Sequence, residues 1–284
     1  MNTIEKAVQR LKRAGLSKGE PDEQVSAKSR AVSHQRLVNS KTGLEIDFQK
    51  LSDGGYLTPD RENQLLTDEY RIIKRPLLKN AFGKGVVPVE NGNVIMVSSA
   101  LPGEGKTFTA MNLAVSIAME KDTTVLLIDS DVTKPALSKL LNLEENPGFT
   151  DILTDPQIKL SDVMIRTNLK RLSVMPAGKG RSNSTELLAS QRMQDIINEL
   201  SSRYTDRIII FDLPPIMVTT HAEVLLESAG QILLVIEEGK TPEHVVKEAI
   251  SKINEDTVLG LVLNKCHSSQ KSEYYGTYGS YGTQ

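Results

Sequence analysis

Short apolar runs alternate with amphipathic stretches from residue 93 to residue 265 of this chain. The apolar runs are brief and rich in β-branched residues, as the buried strands of a parallel sheet are. The stretches between them repeat apolar residues every three or four positions, which is typical of helices that pack on a sheet. The pattern predicts an α/β fold, with one parallel sheet and helices on both faces. The predicted strands are 94–97, 123–129, 172–175, 207–212, 231–236 and 258–263, and the helices between them include 137–141, 148–153, 191–204, 222–228 and 242–254.

The two ends of the chain lack this alternation. Residues 1–60 contain one short apolar stripe near the start, followed by a stretch rich in Ser, Lys, Gly and Gln from Gly15 to Thr42. Such a composition favours a disordered, basic arm, which is either simply solvated or a docking element for a membrane-bound partner or anionic lipid. Residues 268–284 are also too polar to bury a core. We therefore predict an arm (1–60), a folded domain (61–267) and a disordered tail (268–284).

A charged amphipathic stretch, 65–82, precedes the first core strand. It predicts a helix that is interrupted or kinked near Pro76. Asp68, Arg71 and Lys74 follow one another at three-residue spacing, which we interpret as one helix face. That face is either an ordinary solvated surface or a surface for self-association.

Composition excludes several classes of protein. The net charge of −2 gives no sign of nucleic-acid binding, and no apolar run approaches the roughly 20 residues that span a bilayer. The single cysteine, Cys266, cannot form an internal disulfide, and the four histidines show no metal-ligand spacing. A soluble, cytoplasmic protein is the expectation.

The turn after the first strand carries the clearest chemistry. Residues 100–107, ALPGEGKT, match the G-x-x-x-x-G-K-[ST] pattern of a phosphate-binding P-loop except at Ala100. In such a loop, backbone N–H groups and the helix dipole bind phosphate, Lys106 reaches the β- and γ-phosphates, and Thr107 ligates Mg²⁺. The alternative is an ordinary strand–turn–helix. The candidate nucleotide contacts are Gly103, Glu104, Gly105, Lys106, Thr107, Phe108 and, by its position after the last strand, Asn264.

Three acids stand at strand ends, where open α/β sheets bind ligands. Asp129 and Asp131 follow the second predicted strand, and Asp212 ends the strand RIIIFD. Phosphoryl transfer needs Mg²⁺ and often a carboxylate that orients or deprotonates the nucleophile. Asp212 fits the metal-holding role, while Asp131 could instead be a helix cap or a surface acid.

The tail contains four of the seven tyrosines of the chain, at Tyr274, Tyr275, Tyr278 and Tyr281. Aromatic residues are depleted in disordered segments, so the cluster calls for an explanation. A sticky low-complexity tail is one; a set of phosphate acceptors is the other.

Taken together, these motifs resemble those of the bacterial tyrosine kinases, P-loop enzymes that autophosphorylate a C-terminal tyrosine cluster. The resemblance rests on MVSSALPGEGKT as Walker A, VLLIDSD as Walker A′, IIIFDLPP as Walker B, and the tyrosine-rich tail. The string DEYRIIKRPLLKNAF and the short arm resemble the branch associated with exosortase-type exopolysaccharide clusters.

The resemblance implies ATP and Mg²⁺ as cofactors and a role in exopolysaccharide synthesis or export. Lys106 and Thr107 would bind ATP·Mg²⁺, Asp129 would be the base or the metal-organising acid, and Asp131 and Asp212 would support the metal. The tail tyrosines would be substrates of a neighbouring subunit in a ring-like oligomer. A transmembrane polysaccharide co-polymerase, here a separate protein, would activate the kinase at the inner face of the plasma membrane.

The chain departs from the family pattern at two places. Thr133 stands where Walker A′ usually has Arg, and Lys134 follows it. The oligomerisation motif E-x-x-R-x-x-R is represented by Asp68, Arg71 and Lys74, which are chemically similar but less suited to bidentate pairing.

Two other functions remain open. A partitioning or positioning ATPase would carry a signature Lys early in the loop, but Leu101 and Pro102 occupy that region here. A nucleotide-dependent adaptor that recruits partners through its tail is not favoured by the complete set of Lys106, Thr107, Asp129 and Asp212, although Thr133 keeps it open.

Overall fold

Seven strands form one sheet in the computed structural model, which describes residues 43–60, 63–83, 89–179, 184–203 and 206–266. The strand order is β3-β4-β2-β5-β1-β6-β7, and every neighbouring pair is parallel except β3 with β4. The strands are β1 (Val94–Ser99), β2 (Thr124–Asp129), β3 (Ile165–Arg166), β4 (Leu172–Met175), β5 (Arg207–Asp212), β6 (Gln231–Glu237) and β7 (Val258–Asn264). The predicted parallel sheet is confirmed, and the two-residue antiparallel strand β3 is the addition that periodicity could not reveal.

The helices pack on both faces of this sheet, as predicted. Within the described residues, no helix is both long enough and apolar enough to cross a bilayer. The helices are α1 (Phe48–Asp53), α2 (Gln64–Ala81), α3 (Lys106–Ala118), α4 (Ala136–Leu140), α5 (Phe149–Thr154), α6 (Leu160–Val163), α7 (Ser184–Leu188), α8 (Gln191–Arg203), α9 (Thr220–Leu226) and α10 (Glu243–Ser251).

Helix α3 is buried along almost its whole length, because every residue from Thr109 to Ala118 is inaccessible to solvent. It lies between the sheet and a second layer that includes α2. A helix that is apolar on all sides needs such a position. The phosphate-binding turn at its N-terminus is therefore attached to a helix that the rest of the domain encloses.

Residues 43–60 belong to this second layer, so the prediction that they form part of a disordered arm is wrong. Ile46, Leu51 and Leu57 are buried in the same core as α3, and the Leu57 N–H donates to Asn112 Oδ1 at 2.7 Å. Asn168 holds the backbone of Ile46 from both sides, accepting from its N–H at 3.0 Å and donating to its carbonyl at 3.1 Å. These apolar residues are too sparse to give a periodic pattern. Residues 1–42 and 267–284, including the rest of the predicted arm and the tail, lie outside the described residues.

Helix α2 runs from Gln64 to Ala81 without interruption, so of the predicted interruption or kink near Pro76 the interruption is absent. Proline removes one N–H donor from the helix ladder and leaves the carbonyl of residue i−4, Ile72, without that partner. Tyr70, Lys74 and Leu77 are buried and anchor the helix on both sides of the proline. Tertiary packing thus offsets the local cost.

A chain that begins at residue 61 should be much less stable than one that begins at residue 43. Removing 43–60 deletes three buried apolar side chains, each worth about 1.5–3 kcal/mol, and exposes the surface of α3 beneath them. We expect several kcal/mol of lost unfolding free energy in urea titrations of the shorter chain. Equal stability of the two chains would contradict the packing described here.

Candidate nucleotide-binding site

The turn between β1 and α3 has the backbone conformation of a phosphate-binding loop. Gly103 and Gly105 adopt φ of +85° and +99°, a left-handed region that favours glycine. A Cβ at Gly105 would also collide with Asn264 Nδ2, so a larger residue would displace the Asn264 side chain. Ala100 is fully buried and has no positive φ, which explains why it can replace the first glycine of the pattern. The first turn of α3, which contains Lys106 and Thr107, directs its unpaired N–H groups into the loop.

The side chain of Glu104 braces the loop from within. It is buried, its Oε2 accepts from the Leu101 N–H at 2.7 Å, and its Oε1 accepts from the Thr241 hydroxyl. Asn264 Nδ2 donates to the Glu104 carbonyl at 2.8 Å. Of the predicted nucleotide contacts, Glu104 and Asn264 therefore use their side-chain carboxylate and amide groups to hold the loop in its conformation. Thr241, which precedes α10, could not be identified from sequence because nothing in its surroundings carries a motif.

Lys265 fixes the end of β7 to the same loop. Its ammonium donates to the Gly103 carbonyl at 2.7 Å and to Glu237 Oε2 at 3.0 Å. The hydrogen bond and charge of Lys265 lower the pKa of the Glu237 carboxyl. The last described residues before the tail consequently lie beside the phosphate loop.

Lys106 lies between two of the predicted acids. Its ammonium is 3.1 Å from Asp131 Oδ2 and 3.5 Å from Asp212 Oδ1. Burial alone would lower the pKa of Lys106, but the Asp212 and Asp131 carboxylates outweigh burial and raise it. The Thr107 hydroxyl donates to Asp212 Oδ2 at 2.6 Å. The structure thus brings the loop and the strand-end acids together, as the sequence predicted.

Asp129 is fully buried and pairs in register with Asp212 across β2 and β5. Its Oδ2 accepts from the Ser138 N–H and from the Ser138 hydroxyl, both at 2.7 Å, and its Oδ1 accepts from the Asp131 N–H at 3.2 Å. Burial and the neighbouring Asp212 charge raise the pKa of Asp129 to about 7. Burial also raises the pKa of Asp212. Ser138 was not identified from sequence, because a serine in a short helix carries no motif.

Asp131 has two roles in the turn after β2. Its Oδ1 accepts from the Thr133 hydroxyl at 2.8 Å and from the Lys134 N–H at 3.0 Å, while Oδ2 pairs with Lys106. The alternative that Asp131 is a surface acid is wrong, because its side chain is buried. Thr133, which the sequence analysis identified as a departure from the usual arginine, thus helps to orient this carboxylate.

The donor set suits a magnesium ion that is shared with a nucleotide. Within the described part of the chain, no three His, Cys, Asp or Glu side chains are grouped so as to hold a metal by themselves. Mg²⁺ usually takes one or two protein oxygens and completes its octahedron with phosphate oxygens and water. Thr107, Asp129 and Asp212, the predicted metal ligands, offer such oxygens around a loop shaped for phosphate.

A groove of about 290 Å³ adjoins the loop between α2 and the end of β7. Phe108, a predicted nucleotide contact, lines it together with Leu66, Ile73, Leu263 and Asn264. Behind Phe108, the ring of Tyr56 packs at a centroid distance of 4.9 Å. Apolar side chains line the groove together with the polar Glu69, Tyr70 and Lys265, and the groove opens next to the phosphate loop. A concave site of this mixed composition has room for a small molecule.

The three residues predicted for self-association do not share one face of α2. Asp68 and Arg71 form an ion pair of 2.8 Å and are about half exposed. Lys74 is buried, and its ammonium donates to the Ser116 carbonyl at 2.8 Å and pairs with Glu120 Oε1 at 2.6 Å. Six residues of α-helix turn the side chain about 120° away from its starting direction, which carries Lys74 to the buried side. The assignment of Lys74 to an intersubunit surface is therefore wrong.

The four tail tyrosines, Tyr274, Tyr275, Tyr278 and Tyr281, lie outside the described residues.

The sequence model of the AAA domain family matches residues 92–257 of the chain, which include the phosphate loop and all three acids. Tyrosine-protein kinase YwqD of Bacillus subtilis (strain 168) is 36% identical over 193 residues, which are 67% of this chain and 78% of YwqD. Succinoglycan biosynthesis transport protein ExoP of Rhizobium meliloti (strain 1021) is 31% identical over 186 residues, 64% of this chain but only 23% of that protein.

The fold agrees with these similarities. The crystal structure of the chimerical protein CapA2B2 superimposes with a TM-score of 0.63 at 26% identity, covering 79% of this chain and 93% of the other.

Proposed function

Because the chain belongs to the bacterial tyrosine kinase family, we propose that it transfers the γ-phosphoryl group of ATP to C-terminal tyrosines of a neighbouring subunit. The observation that carries the proposal is the buried cluster in which Lys106 and Thr107 of the loop contact Asp131 and Asp212. A cation, a hydroxyl and carboxylates beside a phosphate loop are the parts that phosphoryl transfer requires.

The donor side consists of the loop and the groove beside it. The left-handed glycines and the first turn of α3 bind the phosphates through N–H groups, and Lys106 offsets their charge. The groove next to Phe108 takes the nucleoside. Mg²⁺, held by Thr107 and Asp212 and by the phosphates, would offset the charge that develops on the transferred group.

Asp129 acts as the base on the acceptor side. A carboxyl whose pKa is raised to about 7 can accept a phenolic proton and still be substantially ionised near neutral pH. The acceptor oxygen bonds to the γ-phosphorus, its proton passes to Asp129, and ADP leaves. Asp131 and Asp212 hold Lys106 in place during this exchange.

The acceptors are Tyr274, Tyr275, Tyr278 and Tyr281. The tail that contains them, 268–284, begins three residues after Lys265, which is bound to Gly103 at the loop. Around this edge, Leu65, Ile72, Leu261 and Leu263 are more than half exposed. An apolar rim beside the site, next to the exposed Asp68–Arg71 pair, supports a ring-like oligomer that brings the tail of one subunit to the site of another.

Incubation of the purified protein with Mg-ATP should place phosphate on tyrosine between residues 274 and 281, detected by mass spectrometry of the C-terminal peptide. A variant with all four tail tyrosines changed to Phe should release no phosphotyrosine peptide from this region. Release of ADP without any tail phosphotyrosine would contradict the kinase proposal and would favour a partitioning-type ATPase instead.

Transfer between subunits makes a separate prediction. The Lys106→Met variant keeps its tail but lacks the site, and the four-Phe variant keeps its site but lacks acceptors. Mixing the two should phosphorylate the tail of the Lys106→Met chain, because each supplies what the other lacks. Labelling only of chains whose own site is intact would instead indicate transfer within one subunit.

The two basic residues of the α2 motif should behave differently. Arg71→Ala removes an exposed side chain and should weaken the oligomer, measured by analytical ultracentrifugation, with less than about 0.5 kcal/mol change in stability. Lys74→Ala removes the partner of the Ser116 carbonyl and should cost about 1–3 kcal/mol of unfolding free energy. Equal effects of both changes on assembly alone would contradict the buried placement of Lys74.

We assign the catalytic domain to a unit that begins near residue 43, and the arm before it to docking. The cellular role is regulation of exopolysaccharide synthesis or export with a separate transmembrane co-polymerase, which would hold the kinase at the inner face of the plasma membrane. Similarity to YwqD over most of that relative, and to a quarter of the much longer transport protein ExoP, supports this arrangement. Co-purification of the protein with a polysaccharide co-polymerase from membranes, and its loss on deleting residues 1–42, tests it.

A further inference from the structure

Ser138 contacts the proposed base more closely than any loop residue does. It lies in α4, is buried, and directs both its N–H and its hydroxyl to Asp129 Oδ2 at 2.7 Å. The same hydroxyl oxygen accepts from the Ala177 N–H at 3.0 Å. Two segments from different parts of the chain, after β2 and after β4, therefore meet at the Ser138 hydroxyl, which in turn donates to the Asp129 carboxylate.

The direction of these hydrogen bonds follows from their donors. A backbone N–H can only donate, so the Ser138 oxygen accepts from Ala177 and its single hydrogen points to Asp129. Asp129 Oδ2 thus receives two donors. Asp129 Oδ1 accepts the backbone N–H of Asp131 at the longer distance of 3.2 Å and has acceptor capacity left.

The partner that holds Ser138 is itself fixed. The Ala177 carbonyl accepts from the Thr150 N–H and from the Thr150 hydroxyl, both at 2.9 Å. Gly148 packs so tightly on this strand end that a Cβ would lie 2.0 Å from the Pro176 carbonyl oxygen. The chain of contacts from α5 through Ala177 to Ser138 leaves the Asp129 carboxylate little freedom to rotate.

We propose that Ser138 is a positioning residue for phosphoryl transfer, which secures Asp129 through Oδ2 and presents Oδ1 to the acceptor hydroxyl. The inference rests on the proposed role of Asp129 as base. In the transfer, the acceptor O–H bond breaks and its proton goes to Asp129 Oδ1. The acceptor oxygen bonds to the γ-phosphorus, and the bond from that phosphorus to the bridging oxygen breaks as ADP leaves.

Ser138→Ala should lower kcat for tail phosphorylation by about 10- to 100-fold, since misplacement of a reacting group by about 1 Å can cost up to about 100-fold. The KM for ATP, and nucleotide binding measured by titration, should stay within about twofold, because Ser138 touches neither the loop nor the groove. Ser138→Thr keeps the hydroxyl and should restore most of the lost kcat. Ser116→Ala, which removes a buried serine hydroxyl outside the site, is the matched control and should leave kcat unchanged.

A double-mutant cycle separates positioning from mere stability. If Ser138 acts through Asp129, adding Ser138→Ala to Asp129→Asn should cause no further loss of the residual rate. An additive loss, or a kcat of Ser138→Ala within twofold of the wild-type protein, would overturn the inference. Should Ser138→Ala be too unstable to assay, Ser138→Cys keeps the volume with a weak donor and must show the same selective loss of kcat. An inactive wild-type protein would count against the kinase proposal itself, not against Ser138.

Discussion

Lys106→Met is expected to abolish tail phosphorylation, with a fall in rate of at least about 10³-fold. Lys106 is the cation placed between Asp131 and Asp212 beside the phosphate loop, and its raised pKa keeps it charged at physiological pH. Methionine fills a similar volume without the charge, so the phosphates lose their counter-ion and the two carboxylates lose theirs. The C-terminal peptide of the variant, followed by mass spectrometry under Mg-ATP, should carry no phosphotyrosine.

The matched control is Lys139→Met, which removes an exposed lysine from α4 close to the site in sequence. Its labelling should equal that of the wild-type protein. Tail labelling of Lys106→Met at the wild-type rate, with the protein folded by circular dichroism, would show that the phosphate-binding lysine is assigned wrongly.

The sheet could be predicted from sequence because its strands are buried on both faces. A run such as RIIIFD has no polar alternation, so its apolar character and its length are enough to identify it. The three acids were identified by the same reasoning, since each follows directly from the end of such a run. Hydrophobic periodicity shows where each strand ends along the chain. In a parallel sheet, residues that directly follow the strands lie at the same edge, where ligands bind.

The parts that were missed depend on contacts between distant segments. Leu57 reaches α3 through Asn112, and Ser138 reaches Asp129 together with Ala177, yet none of these residues stands in a local pattern. The prediction that Lys74 lies on an exposed face of α2 was wrong for a different reason. Three-residue spacing keeps neighbours close on a helix, but two such steps turn the third residue away from the first. A charged residue at the end of an apparent stripe can thus be a buried partner of the helix beneath.

The chemistry of the site also depends on burial that the sequence does not display. Asp129 and Asp212 would be ordinary carboxylates at an exposed strand end, but their register pairing places two acids side by side without solvent. Burial and mutual repulsion then raise the pKa of Asp129 to about 7, a value that suits a base near neutral pH. Burial of an acid at this position lowers the stability of the fold, and the proposed role of Asp129 as base would account for its presence there.

Asp129→Asn should reduce the rate of tail phosphorylation by about 10²- to 10⁴-fold, the usual contribution of a positioned base. The same change should make the folded protein more stable. In the wild-type protein the folded state binds a proton at Asp129 up to pH about 7, whereas the unfolded chain releases it near pH 3.8. Stability therefore falls as the pH rises between these two values and stays constant above them, because ionisation is disfavoured only in the fold.

Asparagine carries no charge and avoids the cost of ionising a buried carboxyl. The difference in unfolding free energy between the variant and the wild-type protein should therefore increase from pH 5 to pH 8 and then stop changing. Each pKa unit corresponds to about 1.4 kcal/mol, which puts the gap at a few kcal/mol above neutrality. Urea titrations at pH 5, 7 and 8.5 measure it, and Ser116→Ala, which removes no ionisable group, should show a gap that is independent of pH. A variant that loses activity without gaining stability at high pH would mean that Asp129 is ionised in the fold at no cost. The basicity of Asp129 during the reaction would then depend on the bound nucleotide and not on burial of the carboxylate.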